Sequence, residues 1–227
     1  MSDRLGIHAG AAALLIGMSI GVSAASTLRA SAADSTVQMR SLGLPAPVSA
    51  ILQHGVSNLF NLDLPAAEQQ FAAVAVAVSN HAAGHVWQAL GVFVRMLVEG
   101  PSSADEAAMT GYARLALAAP APAPGTDGWR EFYDAIAALL LARDSAERHG
   151  PLETLGWLRN GVAAARRALT TDAAAADDAA MLVGAYQFFG DYLPWYLRMP
   201  AALMIEPTDR HTGLRRLEQA RQRAVLC

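Results

Sequence analysis

Cysteine occurs once, as Cys227, in a chain of 227 residues. One thiol excludes an internal disulfide framework and every zinc or iron–sulfur pattern built from several cysteines. Lysine does not occur at all: the 17 basic residues are all arginine, while about a fifth of the chain is alanine. Such a bias follows GC-rich coding, so alanine content alone is a weak argument for helix. Charge is sparse, at 16% of residues with a net of -3, which argues against nucleic acid as a partner. What is abundant is apolar: 53% of the chain is hydrophobic, too much for a disordered tail and enough for one core of moderate size.

The first 28 residues bear on compartment. No charge lies between Arg4 and Arg29. At about 1.5 Å per residue, a helix over that stretch is roughly 36 Å long, enough to cross a bilayer core. Ala9, Ala13, Gly17, Gly21 and Ala25 recur at every fourth position, a stripe of small residues that lets a second membrane helix approach closely. The alternative is a cleaved export signal, since Val22-Ser23-Ala24 is a small-x-small site. Arg29 and Arg40 after the segment do not favour an exported remainder by charge count. The export-signal shape does, and the bulk of the chain is expected outside the cytoplasm.

Residues 29–47, small and polar with Pro45 and Pro47, suit an extended tether. Residues 48–227 read as helices throughout, with no convincing strand alternation, so the soluble part is expected to be all-α. Helices are predicted over 48–60, 66–78, 84–99, 103–118, 129–149, 152–169 and 177–192, with a last one after Asp209 running to the end. Asp177 and Asp178 are read as the first turn of their helix. A proline-rich break at 119–128 divides the set.

Internal spacing adds a repeat. Gly55 is followed after twelve positions by Ala67, Phe71 and Val74, a set spaced four and three. The same spacing returns as Gly161, Ala165 and Ala168, and as Gly213, Leu217 and Ala220, with Gly184 in the Gly55 role. This resembles the tetratricopeptide repeat, a pair of antiparallel helices. The final pair departs from it, with about seventeen extra residues carrying Tyr186-Gln-Phe-Phe-Gly-Asp-Tyr-Leu-Pro-Trp-Tyr-Leu-Arg198. Over residues 46–227 the chain is similar to a group of exported bacterial tetratricopeptide-like proteins with a Leu-Pro-Trp-Tyr-Leu segment. The resemblance implies a helical-pair solenoid and no catalytic residues.

Several groups are candidate sites. Tyr192, Trp195, Tyr196, Leu197 and Arg198 can anchor a protein partner, or fill the chain's own groove. His81 and His85 stand one helical turn apart, with His54 in reach from the first helix, a spacing that suits a metal as well as polar residues at a helix start. Arg215, Arg216 and Arg223 form a basic face on the last helix, where Leu214, Leu217, Ala220 and Ala224 are expected to be buried. Glu131, Asp134, Asp144 and Glu147 read as solvated. There is no Gly-x-Ser-x-Gly, phosphate-cradling loop or dinucleotide fingerprint.

The expectation is a non-enzymatic interaction scaffold without cofactor. It is a membrane-anchored accessory or assembly subunit of a membrane protein complex, with protein subunits as partners and no nucleic acid. The alternative is a soluble periplasmic module, cleaved near Ala24, that binds a peptide or small apolar ligand.

Overall fold

A computed structural model describes residues 42–121, 127–190, 199, 201–202, 205, 209–224 and 226. Among them are eight helices and no strand: α1 (Ala46–Phe60), α2 (Leu64–Ala77), α3 (Ala82–Glu99), α4 (Ser103–Ala118), α5 (Gly128–Arg148), α6 (Pro151–Thr171), α7 (Ala173–Phe189) and α8 (Arg210–Arg223). The chain is all-α over the described residues. No helix there is long and apolar enough to cross a membrane. The membrane-length helix expected over residues 1–28, with its stripe Ala9, Ala13, Gly17, Gly21 and Ala25, lies outside the described residues.

Side-chain caps set most of the helix starts. Asp63, His81, Ser102, Asp127, Asp172 and Asp209 each accept a hydrogen bond from a backbone N–H in the first turn of the helix that follows. Each satisfies one of the donors that a helix leaves open. Asp172 starts α7 at Ala173, four residues before the expected start. Asp178 is therefore no first-turn carboxylate: it lies within the helix and is fully buried. The last helix ends at Arg223 rather than running on.

The helices pack as consecutive antiparallel pairs. In α1/α2, Gly55 lies against the Phe71 ring, and Asn58 Nδ2 donates to Gln70 Oε1 at 3.1 Å. In α5/α6, Gly161 meets Ala135 and Leu139. In α7/α8, a Cβ placed on Gly213 would fall 2.4 Å from Phe188 N and 2.8 Å from Gly184 O. These two helices touch backbone to backbone, and only glycine permits it. Each pair joins the next through its second helix, and the first helices of the last three pairs also touch, α3 to α5 and α5 to α7. Those contacts advance in one direction. His81 meets Tyr133 at one end and Arg143 lies over the Phe93 ring further along, so α3 and α5 run parallel.

The second helix of every pair presents the same spacing of inward residues. Ala67, Phe71 and Val74 are buried on α2, and Gly161, Ala165 and Ala168 on α6. On α8, Gly213 and Ala220 are buried, with Leu217 half-buried between them. The structure adds a fourth set, Met109, Ala113 and Ala116 on α4.

Arginine bridges tie helices together both within pairs and between them. Arg95 on α3 reaches both Glu68 on α2 and Asp105 on α4. Arg148 links α5 to Glu106 on α4 at 3.2 Å, and Arg167 links α6 to Glu131 on α5 at 2.8 Å. A planar guanidinium suits such two-carboxylate bridging. Glu131 and Asp144 are consequently buried rather than solvated, the latter paired with Arg148 at 2.7 Å.

Candidate functional site

The face where α3, α5 and α7 adjoin carries three polar side chains at one level. Gly128, opening α5, meets Asp172 and Ala175 at the start of α7. Tyr133 and Asp178 lie just beyond these contacts on their helices, in matching register. His81 caps α3 beside them, its ring edge-on to Tyr133 with centroids 5.7 Å apart.

Each of the first two groups holds main chain of a non-helical segment. The Tyr133 hydroxyl, fully buried, donates to Leu42 O at 2.8 Å. Asp178 Oδ1 accepts from Leu226 N at 2.9 Å, also in a buried setting. The side chains of Leu42, Leu44 and Leu226 are buried in the main core, at 0%, 4% and 4% exposure. Gly43 runs between them at φ 70°, with Trp129 so close that a Cβ there would fall 2.8 Å from Trp129 Cβ. The Leu44 carbonyl accepts from Ser49 Oγ at 3.2 Å. The face thus holds Leu42 and Leu226 by their backbones while burying their side chains.

Burial holds the phenol of Tyr133 well above its ordinary pKa, and the charges of Asp178 and Asp127 push the same way. It remains a hydrogen-bond donor, and Asp178 supplies the complementary acceptor. His81 is shifted down by burial, opposed by Asp127 and reinforced by Arg130. Its Nδ1 accepts from Ala83 N at 3.1 Å. A phenol donor and a carboxylate acceptor on adjacent helices thus each bond main chain of this protein's own non-helical segments.

The residues singled out in the sequence fall elsewhere or only partly here. His54 is exposed on α1, and His85 is half-buried with Nδ1 lacking a hydrogen-bond partner among the described residues. The three histidines form no cluster, and among the described residues no group of three His, Cys, Asp or Glu side chains is placed to hold a metal. On α8, Arg215 is exposed and donates to Thr212 Oγ1 at 3.0 Å, and Arg223 is exposed. Arg216 departs from the expected outer face: it is half-buried, with its Cβ packed beside Gly184 on α7. Leu214, expected inside, is exposed, because α8 approaches α7 along Gly213 and Ala220 instead. Asp209 caps α8, accepting from His211 N at 3.0 Å. Tyr192, Trp195, Tyr196, Leu197 and Arg198 lie outside the described residues.

Tyr133 and Asp178 were not flagged by sequence reasoning. A signal was present for the second: Asp178 falls within the spacing Ala175, Ala179, Leu182, a buried stripe in which a carboxylate needs a partner. Compared with protein families, with curated proteins and with solved structures, the chain finds no match.

Proposed function

We propose that this protein is a non-enzymatic interaction scaffold, an array of tetratricopeptide-like helix pairs that acts as an accessory or assembly subunit of a membrane protein complex. The observation that supports it best is the succession of antiparallel pairs whose first helices touch in order from α3 to α5 to α7, with α3 and α5 parallel, a stacking that suits a continuous face for a partner. In this reading residues 1–28 anchor the chain, and the small-residue stripe Ala9 to Ala25 packs against a partner's membrane helix. The bulk then works on the extracytoplasmic side. Solubilising native membranes in mild detergent and isolating the chain tests this. Stoichiometric copurification of membrane subunits is expected, and a chain that migrates alone argues against it.

A second reading is favoured by the Tyr133–Asp178 face. There the protein is a periplasmic module, cleaved near Ala24, that carries an extended peptide. Sequencing the native amino terminus separates the two: a start near Ala25 removes the anchor and leaves the soluble module.

A further inference from the structure

The turns within the first three pairs fall at one edge of the array, and side-chain contacts fix their level. Ala75 lies against Gly84 while Glu68, two turns earlier, meets Arg95, so α2 and α3 are antiparallel. Arg95 also reaches Asp105 in the first turn of α4, and Arg148 reaches Glu106 from the last turn of α5. Across the α5/α6 turn, Ser145 Oγ donates to Glu153 Oε1 at 3.3 Å. The turns at 61–63, 100–102 and 149–150 therefore stand side by side, with a belt of ion pairs immediately beneath them.

Large apolar side chains gather at this edge. Phe60 and Leu62 are exposed at the first turn, Leu97 and Val98 at the second, and Leu152 at the third. These are five of the nine large apolar side chains exposed among the described residues. Val76 and Leu115, near the ends of α2 and α4, lie toward the opposite edge. The exposed charges beside the five lean acidic, with Asp63, Glu99 and Glu153 against Arg148.

We propose that this edge dips into a bilayer surface: the apolar tips enter among the acyl chains of neutral, zwitterionic lipids, and the ion-paired belt lies at the headgroup level. An exposed apolar patch rimmed by polar residues marks a contact surface, and a row of tips on successive turns meets a plane. Belt charges that are already paired cost less to bring to that boundary than free ones. The chain also supplies the means to arrive there. Residues 5–28 carry no charge and have membrane length. Residues 29–41, at up to about 3.3 Å each, reach roughly 40 Å. At about 1.5 Å per residue, α1 is roughly 22 Å long. The tether is thus long enough to enter α1 at its far end, beside Leu42 and Tyr133, while the turn edge faces the membrane. This rests on the anchor of the reading above and adds a second membrane contact, made by the helix pairs.

The test uses the full chain in phosphatidylcholine vesicles. Cys227→Ser removes the one thiol, and Val98→Cys, Leu152→Cys or Val76→Cys then supplies a single site for a nitrobenzoxadiazole label. These positions are 54%, 84% and 83% exposed, so a label there displaces no packed side chain. Lipids with nitroxide-bearing acyl chains are expected to quench the labels at Val98 and Leu152 at least about twofold more than the label at Val76. Equal quenching at all three overturns the proposal. Absence of quenching at Val98 and Leu152 overturns it in favour of a protein partner. Quenching that appears only when phosphatidylserine is added overturns the choice of neutral lipid. An alkaline wash reads the anchor separately. A chain quenched before the wash but released by it keeps the edge and removes the anchor, whereas a retained chain with unquenched tips removes the edge alone.

Discussion

Asp178, fully buried in the middle of α7, accepts a hydrogen bond from the backbone N–H of Leu226 at 2.9 Å across 48 residues of sequence. A carboxylate is costly to bury, and the arrangement persists because its oxygens are bonded. Truncating Asp178→Ala leaves that amide without its acceptor and is expected to lower stability by about 1–3 kcal/mol. Asp178→Asn keeps an acceptor and is expected to lose less. Urea unfolding of the two variants side by side measures the difference.

Tyr133→Phe removes only a hydroxyl, but that hydroxyl serves the buried carbonyl of Leu42. The expected cost is about 1 kcal/mol, with the ring packing against Trp129 and Phe132 retained. Hydrogen exchange locates the effect: amides around residues 42–46 lose protection while those of α6 do not.

Two glycine substitutions are expected to act in opposite directions. Gly213→Ala drives a methyl into the backbone of Phe188 and is expected to destabilise by about 1–3 kcal/mol. Gly111→Ala, in the interior of α4 with nothing within 4 Å of the new Cβ, is expected to stabilise by about 0.5–1 kcal/mol. Thermal melts of both variants provide the check.

The cap of α3 predicts a pH dependence. Burial lowers the pKa of His81 below the ordinary 6.5, so between the folded and unfolded values the unfolded chain binds more protons. The contribution is whole above 6.5 and is lost as pH falls toward the folded value, when protonation of Nδ1 also breaks its bond from Ala83 N. Urea midpoints from about pH 8 to about pH 5 are expected to show this slope. His81→Asn, which retains a capping acceptor, is expected to flatten it. A slope unchanged in that variant assigns the dependence to another group.

Much of this architecture is legible in the sequence because small residues at fixed spacing have one use in helix pairs: close approach. Gly55 against Phe71 and Gly184 against Gly213 follow from that spacing. The pair α3/α4 escaped the repeat because its inward set is Met109, Ala113 and Ala116. There a flexible methionine replaces the small residue, and alanine is too common to stand out. Caps were read less well. Asp172 and Asp177 are both plausible starts for α7, and local sequence does not tell which one the packing against Gly128 selects. The candidate face was hidden for a different reason. Tyr133 and Asp178 acquire their role only when Leu42 and Leu226, distant in sequence, arrive beside them.

That distance has a kinetic consequence. Most helix contacts join neighbours across short turns, so each pair closes a small loop and forms as a local unit. The Leu42–Tyr133 bond instead spans 91 residues and has no partner until α5 is in place, and the Leu226–Asp178 bond spans 48 and waits for α7. Loop-closure entropy places such contacts late. The leucine stretches therefore dock onto helices that are already assembled, and refolding followed by pulsed hydrogen exchange should see the Leu42 and Leu226 segments gain protection after the helices do.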